Sequence, residues 1–354
     1  MSKRRTLGLT ALAAGAAGAA LAGAIAAERR AVGRARSQPD PFSDEPFDAL
    51  HNEGLDVIAD DGIALHVEVD GDLAAPVTVV FVHGFTLTMD SFYFQRRELG
   101  DLGRLVFYDQ RSHGRSERST REHSTIDQLG RDLYDVLQAV APTGPVVLVG
   151  HSLGGMTVLA LADQHPELFG ERVVGVALLS TSTGNLAKSV LGLPGWASRV
   201  VDPAVPYVAT AVRRRAGLLE SNRRFGADLA FMATRRLSFG PDAPPSLVAL
   251  MERMIASTSV GVMSDFFDTF LSHDKLEALD VLAGVPVLIS CGEDDLLTPL
   301  SHSQVIAAAL PDAELQTIPG TAHMALIERY PAVNAAVRRL VARAIEASPR
   351  SVGG

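Results

Sequence analysis

Residues 146–155 read VVLVGHSLGG, an apolar run (Val146–Val149) that breaks into Gly150-His151-Ser152-Leu153-Gly154-Gly155. The apolar helical pattern Met156–Gln164 follows directly. A short apolar, β-branched run bounded by glycine is a buried-strand signal. The stretch is therefore strand, sharp turn and helix, with Ser152 at the apex. Such a turn strains the backbone at its apex, and Gly150 and Gly154 let strand and helix approach without colliding Cβ atoms. It lifts the Ser152 hydroxyl clear of the sheet. It also leaves the Leu153 N–H at a helix start, where no carbonyl of the helix can accept it. A glycine-rich helix cap with an incidental serine has the same composition. The G-x-S-x-G spacing between strand and helix favours a nucleophile.

Outward from this turn the chain alternates strand and helix. Leu55–Ala59 and Ala64–Val69 flank Asp60-Asp61-Gly62, a hairpin signal. Further strand-like runs are Val77–Val82, Arg104–Tyr108, Val173–Leu179, Val285–Ser290 and Leu315–Ile318. Helical patterns lie near Ser91–Leu99, Ile126–Val140, Ser301–Leu310 and Ala332–Ile345. This alternation implies an α/β fold with a mostly parallel sheet covered on both faces. From about Gly184 to Asp280 no strand pattern appears, only helix-like segments broken by Pro and Gly. That insertion reads as a helical cap over the C-terminal edge of the sheet, where such folds bind ligands.

The charge is unevenly placed. Residues 1–36 hold seven Lys/Arg and one Glu, so the body beyond them carries −15 against a chain total of −9. An acidic body argues against nucleic acid as a partner, since that affinity rests on neutralising phosphates. Lone Cys291 rules out a disulfide framework, and no Cys/His cluster has zinc-ligand spacing. Leu7–Ala27 is a run of 21 uncharged residues, eleven of them Ala, flanked by Lys3-Arg4-Arg5 and by Glu28, Arg29, Arg30, Arg34 and Arg36. About 20 apolar residues can cross a bilayer, although Ala and Gly transfer weakly. A retained signal-anchor, giving membrane association through residues 7–27, is the favoured reading because basic residues follow the run directly. A cleaved signal peptide ending at Ala24-Ile25-Ala26, a twin-arginine export signal at Arg4-Arg5 and an Ala-rich soluble helix are the alternatives. With basic residues on both sides, the orientation stays open. The expected layout is leader 1–36, a Pro- and acid-rich linker 37–54, core 55–183, cap 184–281, core 282–346 and tail 347–354.

The Ser152 stretch resembles the α/β-hydrolase superfamily, and other segments fit the same pattern. Strand Val77–Val82 ends in His83-Gly84-Phe85-Thr86, similar to the family's H-G-x oxyanion loop; the resemblance makes the Phe85 and Leu153 N–H groups the oxyanion hole. Tyr108-Asp109-Gln110-Arg111-Ser112-His113-Gly114-Arg115-Ser116 is similar to the D-x-R-G-H-G-x-S loop of the esterase and non-haem peroxidase-like branches, with Ser112 in place of the usual Gly. Of ten histidines, only His323 lies in the family's G-x-x-H loop, Gly320-Thr321-Ala322-His323, with Glu328 and Pro331 as its usual tail. The pattern G-x-x-D-x-x-x-P over Gly292–Pro299 selects Asp295 over Asp294 as the acid. Ser180-Thr181-Ser182-Thr183, where some branches carry the acid, offers no carboxylate. His83, His113 and His151 read as structural residues bonding loop backbone; His51, His66, His123, His165, His273 and His302 read as surface residues by default.

The order Ser152, Asp295, His323 is the one α/β-hydrolases use. The resemblance implies acyl transfer with no cofactor or metal. Carboxylic ester hydrolysis leads, on an apolar, lipid-like or small-molecule ester. Cofactor-free perhydrolases and C–C hydrolases share the triad and stay open as alternatives. A catalytically idle, membrane-tethered scaffold is the competing reading from another class. The cap holds Phe231, Met232, Met251, Met254, Met263, Phe266, Phe267 and Phe270, read as internal packing for the most part and as an apolar acyl pocket in the functional alternative. Cap arginines Arg213–Arg215, Arg223, Arg224, Arg235 and Arg236 read as a solvated face. Oligomeric state is not legible.

Overall fold

A computed structural model describes residues 33, 37–72, 74–184, 186 and 227–348. The leader apart from residue 33, and part of the cap, including Phe231's side chain and Arg213–Arg215, Arg223 and Arg224, lie outside them. Among the described residues, no single helix is long and apolar enough to cross a membrane.

Among the described residues, eight strands form one sheet in the order β1-β2-β4-β3-β5-β6-β7-β8. They are β1 (Leu55–Ile58), β2 (Ala64–Gly71), β3 (Thr78–Val82), β4 (Arg104–Tyr108), β5 (Val146–His151), β6 (Val173–Leu179), β7 (Val287–Gly292) and β8 (Glu314–Ile318). The β1–β2 and β2–β4 pairs are antiparallel; all others are parallel. The central strands are apolar without alternation because both faces are covered. Val79, Phe81, Leu105, Phe107, Val147 and Val149 pack into the core on one face. Their neighbours Val80, Val82, Val106, Tyr108, Val146 and Leu148 pack into the core on the other.

The longer helices of the core are α1 (Tyr93–Glu98), α2 (Ile126–Val140) and α3 (Leu153–Gln164), followed after the cap by α8 (Leu300–Ala309) and α9 (Tyr330–Ala347). In α2 the buried Ile126, Leu129, Leu133, Val136, Leu137 and Val140 follow helical spacing. Thr125 caps it, its hydroxyl accepting from Gln128 N at 3.1 Å. The described cap comprises α4 (Ala227–Ser238), α5 (Pro245–Ser257), α6 (Val260–Asp265) and α7 (Phe267–Ser272).

Several boundaries and burials differ from the sequence reading. Helix α3 begins at Leu153, three residues before its apolar pattern, because the glycines are themselves helical. β7 runs two residues later than Val285–Ser290, since Pro286 lacks the N–H a ladder needs. Residues 37–54, read as a linker, lie on the body. Phe47 is buried in the core beside Tyr93, and Asp40 accepts from both N and Oγ of Ser246 at the start of α5. Arg235 is not on a solvated face: it is buried, donating to the carbonyls of Ala243 and Pro241 and to Gln38. His273 is buried and His66, His165 and His302 are half-buried, against the surface default.

Candidate active site

Ser152 sits between β5 and α3 with φ 53° and ψ −116°. For a residue with a Cβ this is a sparsely populated conformation, costing on the order of 1–3 kcal/mol. Neighbours hold it there: Ser152 N donates to Leu179 O at 2.9 Å, and the Thr181 hydroxyl donates to Ser152 O at 2.6 Å. A Cβ at Gly154 would lie 1.9 Å from Val82 O, so only glycine lets α3 start this close to β3. The loop after β3 closes over the same point; a Cβ at Gly84 would stand 3.2 Å from Ser152 Cβ.

The expected acid and base, Asp295 and His323, come from loops after β7 and β8. His323 Nδ1 lies 2.9 Å from Asp295 Oδ2, and both residues are buried, at 4% and 3% exposure. Asp295 Oδ1 accepts from the N–H groups of Leu297 (2.9 Å) and Thr298 (3.0 Å), while the Thr298 hydroxyl donates to Oδ2 (2.9 Å). Burial opposes ionisation of Asp295. The His323 imidazole and these hydrogen bonds outweigh it, holding the carboxyl below its ordinary range. Asp294 is exposed, which separates the two adjacent carboxylates by environment.

The Ser152 turn and the His323 loop meet through His151. Its Nε2 donates to His323 O at 3.1 Å, and the two rings lie 4.9 Å apart. Burial, with the nearby His323, lowers the His151 imidazole to about 3, so it stays neutral. His83 is neutral as well, lowered to about 3 mainly by burial. Its Nδ1 donates to Gly84 O (2.8 Å) and its Nε2 accepts from Gln110 N (2.9 Å). Gln110 returns a bond to His83 O (2.7 Å) and accepts from Thr157 of α3 (2.8 Å). His113 Nδ1 donates to Arg111 O (2.9 Å). All three turn histidines bond backbone, as their motifs suggested.

Of the two expected oxyanion donors, Leu153 opens α3 and is fully buried. Phe85 is half-buried, and its ring packs against Phe266 (5.9 Å), Phe270 (5.0 Å) and His113 (5.8 Å). Thus α7 and the residue before it sit on the loop beside Ser152. Met251 and Met254 instead join the core cluster.

Two contributors went unread in the sequence. Thr298 bonds Asp295 and stands 3.3 Å from His323 Nδ1. A threonine three residues past an aspartate is a local hydrogen-bonding pattern that the sequence does display. Ser182, after β6, lies 2.8 Å from His302 Nδ1, with no local signal to mark the pair.

The site can be set against known proteins. A family model described as alpha/beta hydrolase fold matches residues 77–330. RutD of Caulobacter sp. (strain K31), named as a carbamate hydrolase, is 28% identical over 282 residues, 77% of this chain and 94% of its own length. The sn-1-specific diacylglycerol lipase ABHD11 of Mus musculus is 26% identical over 258 residues, 72% of this chain and 77% of its own. Among solved structures, a thermophilic esterase of Thermogutta terrifontis matches with TM-score 0.64 at 21% identity, over 83% of this chain and 99% of its own; that likeness is one of fold. With most of its length matched by the family model, and with the sheet order described above, the chain belongs to the alpha/beta hydrolase fold family.

Proposed function

We propose that the protein is a serine hydrolase cleaving carboxylic esters, with Ser152 as nucleophile, His323 as base and Asp295 as its orienting acid. The observation that carries this reading is the buried 2.9 Å bond from His323 Nδ1 to Asp295 Oδ2, beside a serine in a strained turn. That bond commits Nδ1 as the donor and frees Nε2 to take a proton. The Ser152 oxygen attacks the carbonyl carbon as His323 accepts its proton. Charge then develops on the carbonyl oxygen, where the N–H groups of Phe85 and Leu153 stabilise it. His323 protonates the departing alkoxide, leaving an acyl-enzyme. Water, deprotonated by His323, attacks the acyl carbon and releases the acid and Ser152.

Apolar esters are favoured because the half-buried rings of Phe85 and Phe270 pack together beside the site, an aromatic surface suited to an acyl chain. The lipase relative points the same way. The test is fluorophosphonate labelling of the full chain and of Ser152→Ala, followed by an ester panel graded by acyl length. Labelling of the parent that vanishes in Ser152→Ala, with thermal stability nearly intact, is the expected outcome. A well-folded parent that neither labels nor turns over esters would overturn the proposal in favour of an idle scaffold.

A further inference from the structure

Asp295 holds the His323 ring, but other groups hold the loop that carries it. Met324 N donates to Ser238 O, the last residue of α4, at 2.8 Å. Two residues further along the cap, Gly240 N donates to Glu328 Oε2 at 3.0 Å. The N–H of Ala322 faces the same carboxylate. The Glu328 side chain is wholly buried, at the end of the short helix Ala325–Glu328 that follows His323. A Cβ at Gly240 would lie 2.2 Å from Gly320 O and 2.8 Å from Glu328 Oε1, so cap junction and histidine loop meet backbone to backbone. The residues on both sides of His323 are thereby tied to one junction, while its own carbonyl is held by His151.

A merely structural glutamate would be oddly placed here. Glu328 Oε1 has no hydrogen-bond partner among the described residues, and the Arg329 guanidinium stands 4.0 Å from it. Burial pushes its carboxyl up, against the Gly240 N–H and the charges of Arg329 and Arg235. A buried acid with an unsatisfied oxygen costs stability that an apolar side chain of similar volume would not. What the carboxylate supplies, and an apolar group cannot, is acceptors for N–H groups from two separate elements.

We propose that Glu328 is a positioning residue for the base: it clasps the His323 loop to the end of α4, so that the seat of the cap sets where the imidazole stands. This inference rests on the reading of Ser152, His323 and Asp295 as one hydrolytic site. Displacing a catalytic group by about 1 Å costs on the order of 10²-fold in rate.

The test uses the full chain and three variants: Glu328→Ala, Glu328→Gln and Gly240→Ala. Each is measured for kcat and KM on a p-nitrophenyl ester across pH, and by proton NMR of the downfield Nδ1–H of His323. Glu328→Ala should lower kcat about 10- to 100-fold with KM little changed. The acid-limb midpoint of kcat/KM should fall, and the Nδ1–H resonance should broaden, as the His323–Asp295 bond loosens. Glu328→Gln retains an acceptor for Gly240 N and should recover part of the loss. Gly240→Ala leaves the carboxylate in place but forces the junction off the loop, and should reproduce the loss. If Glu328→Ala fails to fold, the other two variants decide by the same readouts. Folded variants with parental kcat, pH midpoint and resonance, or with a loss confined to KM, would overturn the role of Glu328 alone. A parent that fluorophosphonate does not label at Ser152 overturns the hydrolytic reading, and this proposal with it.

Discussion

At the scale of single residues, environment separates groups of identical chemistry. Asp294 and Asp295 are chain neighbours, yet only Asp295 is buried against His323 and bonded by Leu297 and Thr298. Asp295→Asn should therefore lower kcat on the order of 10⁴-fold, because the amide favours the wrong imidazole tautomer. Asp294→Asn should leave kcat near the parental value; the reverse outcome in the same assay would put the acid at 294. The carboxylate was legible through its spacing to Pro299. Thr298 was not, since nothing local says that its hydroxyl will reach an imidazole 25 residues downstream.

Beyond the apolar packing of the core, elements are held in place by close backbone approach and by buried charge. Gly154→Ala would thrust a methyl against Val82 O, where only 1.9 Å is available, so β3 and α3 must part. Its thermal midpoint should fall by several degrees and labelling of Ser152 should slow sharply; a variant that keeps both would mean the turn is more compliant than its packing implies. Arg111 is fully buried and joins three segments. It donates to both oxygens of Asp132 in α2, to both of Asp61 in the hairpin, and to Ser119. Arg111→Met strands two carboxylates and should cost about 3–5 kcal/mol, measurable by urea denaturation. By contrast, the pairs of Arg118 with Asp265 and Arg121 with Asp268, between the core and α6 and α7, lie at the surface. Exposed pairs of this kind contribute about 0–1 kcal/mol. The helix α2 was legible to the residue from its periodicity. The seating of the cap was not, because Gln38, Asp40 and Glu328 meet it from distant parts of the chain.

Across the whole molecule, the three buried turn histidines couple folding to pH. Burial lowers His83 and His151 to about 3 and His113 to about 4. An unfolded imidazole titrates near pH 6.5, so between about pH 6.5 and 4 the unfolded chain binds protons that the folded chain refuses. Their contribution is whole above that window and is lost as pH falls through it. Buried Asp109, raised by burial to about 6, acts in the opposite sense: its contribution is whole at low pH and is lost as pH rises through about 6. Asn at position 113 can still donate to Arg111 O but cannot titrate. His113→Asn should therefore flatten the fall in stability between pH 6.5 and 4.5 by about 1.4 kcal/mol per pH unit. Urea denaturation at a series of pH values checks this, and a slope equal to the parent's would place the titration elsewhere.

Local sequence carries the alternation of strand and helix, the serine turn and the motifs that mark His323 and Asp295. These are local: a period of two or 3.6 residues, a glycine beside a bulkier apex, a carboxylate at a fixed step from a proline. Tertiary structure alone decided that His151 bridges the serine turn to the histidine loop, that Arg235 is sealed inside the cap, and that Glu328 faces both Gly240 and Ala322. Those contacts join residues up to 172 positions apart. Residue type says what such groups can bond, but only closure of the chain brings their partners within about 3 Å.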